Sequence, residues 1–210
     1  MDDDKWQIKT SFLYSAIFVV TLWLIKSIEN QYGYDFSKYG IFPRTLGGLK
    51  GIFLSPLIHG DINHLLSNTA PTFVLLFGIL YLYRKVSVSV FVIIYLFGNI
   101  IVWLFARSSY HIGASGLVYG FFFFIFLSGV IRRERRAIAL SLLAVFLYGG
   151  MVWGVLPLEK GVSYEGHLSG AVIGSILAIL YRNVARIEPQ DEKEELEPEW
   201  EEEIWGNREE

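Results

Sequence analysis

Residues 111–136 read HIGASGLVYGFFFFIFLSGVIRRERR. From Ser115 to Ile131 the stretch is apolar and uncharged, and four arginines around one glutamate close it. A helix needs about 20 residues to cross the hydrocarbon of a bilayer, within a range of about 17–25. This run is at the short end because it starts inside a polar-looking segment, RSSYHIGASG, residues 107–116. Lipid cannot satisfy irregular backbone, so a helix that starts below the membrane surface must be surrounded by other helices. The stretch therefore reads as a central span of a bundle.

Outward from it lie five further apolar runs, at about 10–30, 64–83, 87–106, 137–155 and 167–186, each near the same crossing length. The chain of 210 residues is 53% hydrophobic and 16% aromatic, and its charges fall in short clusters between the runs. That pattern names the bilayer as solvent and predicts an all-α, polytopic membrane protein with six transmembrane helices in one domain, residues 10–187. Residues 1–9 precede it as a cytoplasmic N-terminus. The absence of cysteine excludes disulfides, thiol catalysis and thiolate metal sites. Asp2, Asp3 and Asp4 stand where a signal peptide carries basic residues, and no small-residue cleavage site follows, so the first run reads as a retained span.

Charge sets the expected orientation. Residues 1–187 hold 16 Lys and Arg against 9 Asp and Glu, a net of +7; residues 188–210 hold 2 against 12, a net of −10. With both termini in the cytoplasm, the inner segments carry ten basic residues, among them Arg132, Arg133, Arg135 and Arg136, and the outer loops carry five. The tail, EPQDEKEELEPEWEEEIWGNREE, reads as a solvated cytoplasmic extension, disordered or loosely helical, with Trp200, Ile204 and Trp205 as a weak alternative docking face. The long connection from Gln31 to Ile58 is rich in Gly, Tyr, Phe and Leu, so it is expected to lie against the outer leaflet.

Polar groups inside apolar spans are costly and mark a functional site by default. Three clusters stand out: His59 to Asn68 (HGDINHLLSN), Gly113 to Tyr119 (GASGLVY) and Gly166 to Gly170 (GHLSG). On the six-span topology all three sit at one depth, the outer ends of spans two, four and six. A serine in a span is often a packing residue, and a buried histidine often no more than hydrogen-bonded. Spacing raises this pair above that. Gly166, Gly170 and Gly174 recur every four residues, and helices packed along such a stripe would bring His167 to Ser115, as an alcohol nucleophile needs an adjacent base. His64 and Asn68 share a helical face and suit the stabilisation of an oxyanion. His59, five residues before His64, reads as a loop-ordering residue. His111, four residues before Ser115, is a rival base in the connection ahead of the helix.

Together these residues resemble the rhomboid family of intramembrane serine proteases: H-x4-H-x3-N at His59, His64 and Asn68; G-x-S-G-x-x-Y at Gly113, Ser115, Gly116 and Tyr119; G-H-x-x-G at Gly166, His167 and Gly170. Each motif alone is weak, and the three in order are specific. The resemblance implies Ser115 as nucleophile and His167 as general base with no acidic third member. It also implies an oxyanion site of the Ser115 backbone N–H, His64 and Asn68, with Tyr119 stacked on His167. Substrates would be single-span or multi-span membrane proteins, met in the lipid bilayer and cut near the outer end of a helix that must unwind there. The cell membrane of a prokaryote is the expected location. Neither a cofactor, a metal nor nucleic acid enters this chemistry. One departure is that many members carry a Trp-Arg pair before the first histidine, where this chain has Leu49, Lys50 and Gly51, with Arg44 after Pro43.

Three other functions are weaker. An inactive relative serving as a scaffold for transmembrane segments would lack Ser115 or His167. A proton-coupled transporter would need acids within the spans, but Glu29, Glu159 and Glu165 lie near their ends. A metalloprotease would need H-E-x-x-H, which does not occur.

Overall fold

A computed structural model describes residues 2–133, 135–147, 153–156 and 162–184. The acidic tail with Trp200, Ile204 and Trp205, the residues Glu159 and Lys160, and part of the fifth run lie outside the described residues.

Each of the six apolar runs carries a helix: α1 (Asp2–Tyr32), α3 (Ile62–Leu82), α4 (Ser87–Phe105), α5 (Ser115–Arg132), α6 (Arg135–Leu147) and α7 (Tyr164–Leu180). A one-turn helix, α2 (Gly51–Leu54), lies in the long loop, and the described residues form no strand beyond one isolated bridge between Ile41 and His111. By length and composition α1, α3, α4 and α5 can cross a membrane, and α7 is a shorter apolar helix. The chain is an all-helical, polytopic integral membrane protein. Several boundaries move from those expected, α7 among them ending at Leu180 rather than near 186. Helix α1 starts at Asp2, because nothing in residues 2–9 breaks a helix that the apolar run propagates. Helix α7 starts at Tyr164 rather than at His167, because the Ser163 side chain accepts the Gly166 N–H and caps it.

As the short span predicted, α5 is the buried centre, packed by α3, α4, α6 and α7. Its closest neighbour is α7, and glycine is the reason. A Cβ on Gly170 would run into the Gly116 carbonyl, and one on Gly174 into that of Gly120. The expected stripe on α7 thus meets a second stripe, Gly116 and Gly120, on α5. Such contacts let two backbones approach where lipid offers no hydrophobic drive for association. At its C-terminal end α5 closes on Arg133 in the left-handed region (φ +60), and Arg132 donates to the Tyr181 carbonyl at 2.6 Å while lying over the Tyr83 ring.

The long loop is anchored without a Trp-Arg pair. Arg44, itself left-handed at φ +58, donates from Nη1 to the Ala106 carbonyl at 2.7 Å, capping the last turn of α4, and Trp103 Nε1 returns a bond to the Thr45 carbonyl at 2.9 Å. Asn99 Nδ2 holds the Ile52 carbonyl at 3.0 Å. The other end is tied by a buried ion pair that the sequence reading passed over. Lys26 Nζ meets Glu29 Oε2 at 2.7 Å and the Gly60 carbonyl at 2.9 Å, while Glu29 Oε1 accepts the Phe36 N–H at 2.8 Å. Every charge there has a partner, the condition under which such a pair survives burial. Leu46 and Phe53 of this loop stay exposed, an apolar outer surface consistent with contact to lipid.

Candidate active site

Ser115 is the first residue of α5, where a backbone N–H has no carbonyl of a preceding turn to bond. Its side chain meets α7: Ser115 Oγ lies 2.8 Å from His167 Nε2. The other ring nitrogen, Nδ1, lies 2.7 Å from the Gly154 carbonyl oxygen, in the turn Trp153–Val155 before α7. A carbonyl only accepts, so Nδ1 carries the hydrogen and Nε2 turns its lone pair toward the serine hydroxyl. Tyr119, one turn after Ser115, stacks on the imidazole with centroids 4.2 Å apart and planes within 10°. The histidine is therefore fixed at both nitrogens and on one face. Gly154 has no room for a side chain, since a Cβ there would strike the Tyr119 hydroxyl and come within 3.1 Å of Nδ1.

The first cluster closes over the start of α5. Asp61 caps α3 by accepting the His64 N–H at 2.8 Å. Gly113 has φ +110, and a Cβ there would stand 2.8 Å from His64 Nε2, so both backbone and space demand glycine beside that ring. His59 packs edge-on against His64 at 5.1 Å, and its Nε2 accepts the Ala114 N–H at 3.3 Å. His59 thus touches the residue before Ser115 as well as His64. Asn68 is buried and donates to the His64 carbonyl at 3.0 Å, within its own helix. Among the described residues no hydrogen bond joins Asn68 to α5 or α7. Gly116 and Gly166 touch, a Cβ on the first coming 3.1 Å from the Gly166 carbonyl. His111 does not reach toward Ser115: its nitrogens face Ser163 Oγ at 2.7 Å and the Arg107 carbonyl at 3.0 Å.

Three participants escaped the sequence reading. The Gly154 carbonyl has no side-chain signature. Ser163 was legible as an N-cap, a serine two residues before Glu165 in a first helical turn. The second stripe on α5, Gly116 and Gly120, was legible at the spacing already used for α7.

Fold and site together define a polytopic helical membrane protein in which a serine and a histidine meet between two apolar helices at the mouth of the bundle. The chain belongs to the rhomboid family: a Rhomboid domain matches residues 47–184. It is similar to uncharacterized proteins of Mycobacterium bovis and Mycobacterium tuberculosis, each 36% identical over 176 residues, covering 78% of this chain and 72% of theirs. An uncharacterized protein of Mycobacterium leprae is 33% identical over 172 residues, covering 78% of this chain and 68% of its own.

Titration in the loops ahead of α3 and α5 has a measurable consequence. Burial pushes His59 down from 6.5 to about 3, with His64 beside it adding to the effect, and burial also lowers His111. Both are neutral in the fold. Below pH 6.5 the unfolded chain takes up protons that the fold refuses, so stability held above 6.5 falls as pH drops toward about 3. For His59 the loss is about 1.4 kcal/mol per pH unit. Unfolding midpoints in detergent should decline from pH 6.5 to 4.5 and stay flat above 7, with a shallower decline in His59→Gln. Equal slopes in the two proteins would contradict the assignment.

Proposed function

We propose that this protein is an intramembrane serine endopeptidase that cleaves transmembrane segments near their outer ends. The observation that carries this reading is the 2.8 Å contact between Ser115 Oγ and His167 Nε2, with the imidazole hydrogen held on Nδ1 by a carbonyl. In the acylation step Ser115 Oγ attacks the scissile carbonyl while its proton passes to Nε2. His167 then protonates the leaving amine, and in the second half it takes a proton from the water that releases the acyl group. The first-turn N–H of Ser115 is the natural donor to the tetrahedral oxyanion, with His64 across Gly113 beside it. Asn68 keeps a second amide hydrogen beyond the one on the His64 carbonyl, and we assign that hydrogen to the same oxyanion. Tyr119 holds the ring, while Gly113, Gly116, Gly166 and Gly170 allow the close approach of backbones. The Gly154 carbonyl accepts the Nδ1 hydrogen where an acidic third residue would stand, and its dipole favours the imidazolium as it forms.

The basic residues support cytoplasmic termini, with the site toward the outer leaflet of a prokaryotic cell membrane. Substrates are single-span or multi-span membrane proteins that arrive through the bilayer. A scaffold that merely holds transmembrane segments has no use for a serine and a histidine aligned for proton transfer. The test is incubation of the protein in liposomes with a panel of single-span substrates, the products read by mass, beside labelling with a fluorophosphonate. Cleavage near the outer end of a substrate helix, and an adduct on the peptide that contains Ser115, are expected. Binding of substrates without cleavage or adduct would leave the scaffold as the function.

A further inference from the structure

A second serine–histidine pair lies one step outward from the first. His111 stands four residues before Ser115, Ser163 stands four residues before His167, and His111 Nδ1 and Ser163 Oγ are 2.7 Å apart. The same two segments are therefore pinned twice, with the residue types exchanged. The direction of the outer bond is determined. The Arg107 carbonyl, 3.0 Å from His111 Nε2, must receive a hydrogen, so Nδ1 is bare and the Ser163 hydroxyl donates to it. Ser163 Oγ in turn accepts the Gly166 N–H at 3.2 Å, and the Ser163 carbonyl accepts the N–H groups of Gly166 at 3.1 Å and His167 at 3.3 Å. His111 is buried, and its backbone exchanges two hydrogen bonds with Ile41, at 3.0 and 2.9 Å. One residue thus joins the long loop, the approach to α5 and the cap of α7. Among the described residues the charged groups facing it from the packed segments are Arg107 and Glu165, which pair with each other at 3.6 Å.

We propose that His111 and Ser163 are positioning residues, a register lock that sets the first turn of α7 against the start of α5 so that Ser115 and His167 meet. The proposal rests on the reading of that pair as nucleophile and base. A glycine stripe fixes the separation of two helices and by itself leaves their register open; Arg132 ties the C-terminal ends of α5 and α7 through the Tyr181 carbonyl, and the ends that carry Ser115 and His167 need a tie of their own. A polar pair beyond the stripe supplies it. Displacements near 1 Å at a reacting pair cost on the order of 100-fold in rate.

The test compares kcat and KM on one single-span substrate in liposomes for His111→Ala, Ser163→Ala, the double variant and Ser163→Thr. Each alanine variant should lose roughly 10- to 100-fold in kcat with KM unchanged. The double should be no worse than the poorer single, because the two act as a unit. Ser163→Thr keeps the hydroxyl and should recover most of the rate. The fluorophosphonate rate constant at Ser115 should fall in parallel, and amide exchange across residues 164–167 should quicken. Native kcat in both alanine variants, losses that multiply in the double, or a probe adduct on Ser163 would overturn the lock. Cleavage surviving in both Ser115→Ala and His167→Ala would overturn the chemistry instead, and exchange at α7 would then decide the lock by itself.

Discussion

Ser115→Ala and His167→Ala are each expected to lower kcat by a factor on the order of 10⁴ or more, with substrate binding retained. On the proposed mechanism the first removes the attacking atom, and among the described residues no other oxygen is bonded to the same imidazole nitrogen. The second leaves a hydroxyl whose proton has no acceptor, since His111 spends its bare nitrogen on Ser163. Because the two act in one step, the double variant should be no slower than either single variant. Ser115→Ala removes one oxygen and should shift the unfolding midpoint little, whereas His167→Ala empties a buried place against Tyr119 and should lower it, so rates are compared at a temperature where both variants are folded. Initial rates in liposomes, set beside those midpoints, make the measurement. Native turnover in the serine variant would end the protease reading. The contrast with His111→Ala is quantitative: a base is worth several orders of magnitude, and a group that positions it one or two.

Gly170→Val should damage fold and activity together. Cβ at Gly170 would press on the Gly116 carbonyl, with the Gly120 nitrogen 3.2 Å away on the same side. These neighbours are backbone, so no rotamer change relieves the clash and the two helices must separate. Overpacking a core with movable side chains costs about 1–3 kcal/mol, and a clash between backbones belongs at or above the top of that range. The activity loss should exceed the stability loss, because His167 lies one turn from Gly170 and moves with it. About 100-fold in the fluorophosphonate rate is the expected scale for a shift near 1 Å. Gly47→Val is the control, since a Cβ at Gly47 meets nothing within 4 Å. A Gly170→Val protein with native midpoint and native labelling would show that α5 and α7 do not depend on their glycines for contact.

The residues that identify the candidate site were legible because each is unusual for its surroundings. Ser115, His167, His64 and Asn68 are polar groups in apolar runs, and their clusters fall at one end of alternate spans, so topology alone brings them to a common depth. The Gly166, Gly170 and Gly174 spacing announced a close helix contact, and the described helices make it. What escaped notice was ordinary in sequence. Glu29 read as an acid near a span end and Lys26 drew no reading, yet they are a buried pair that holds the loop ahead of His59. Arg44, after Pro43, matched no motif, yet it caps α4 and anchors the long loop. His111 was weighed as a base, and its partners make it a tie between segments instead.

By itself the sequence determined the solvent, the helical class, the number of apolar runs and the polar residues that gather at one end of alternate runs. The bilayer imposes those through local rules, on run length, on backbone satisfaction and on the cost of buried polarity, and local rules leave local marks. Only the tertiary structure decided which nitrogen of His167 faces the serine, what orients the other, and what sets α7 in register with α5. Those depend on a backbone carbonyl at Gly154 and on a bond between residues 52 apart in the chain. A carbonyl is present at every position, and it acquires a role only when packing aims it at a partner.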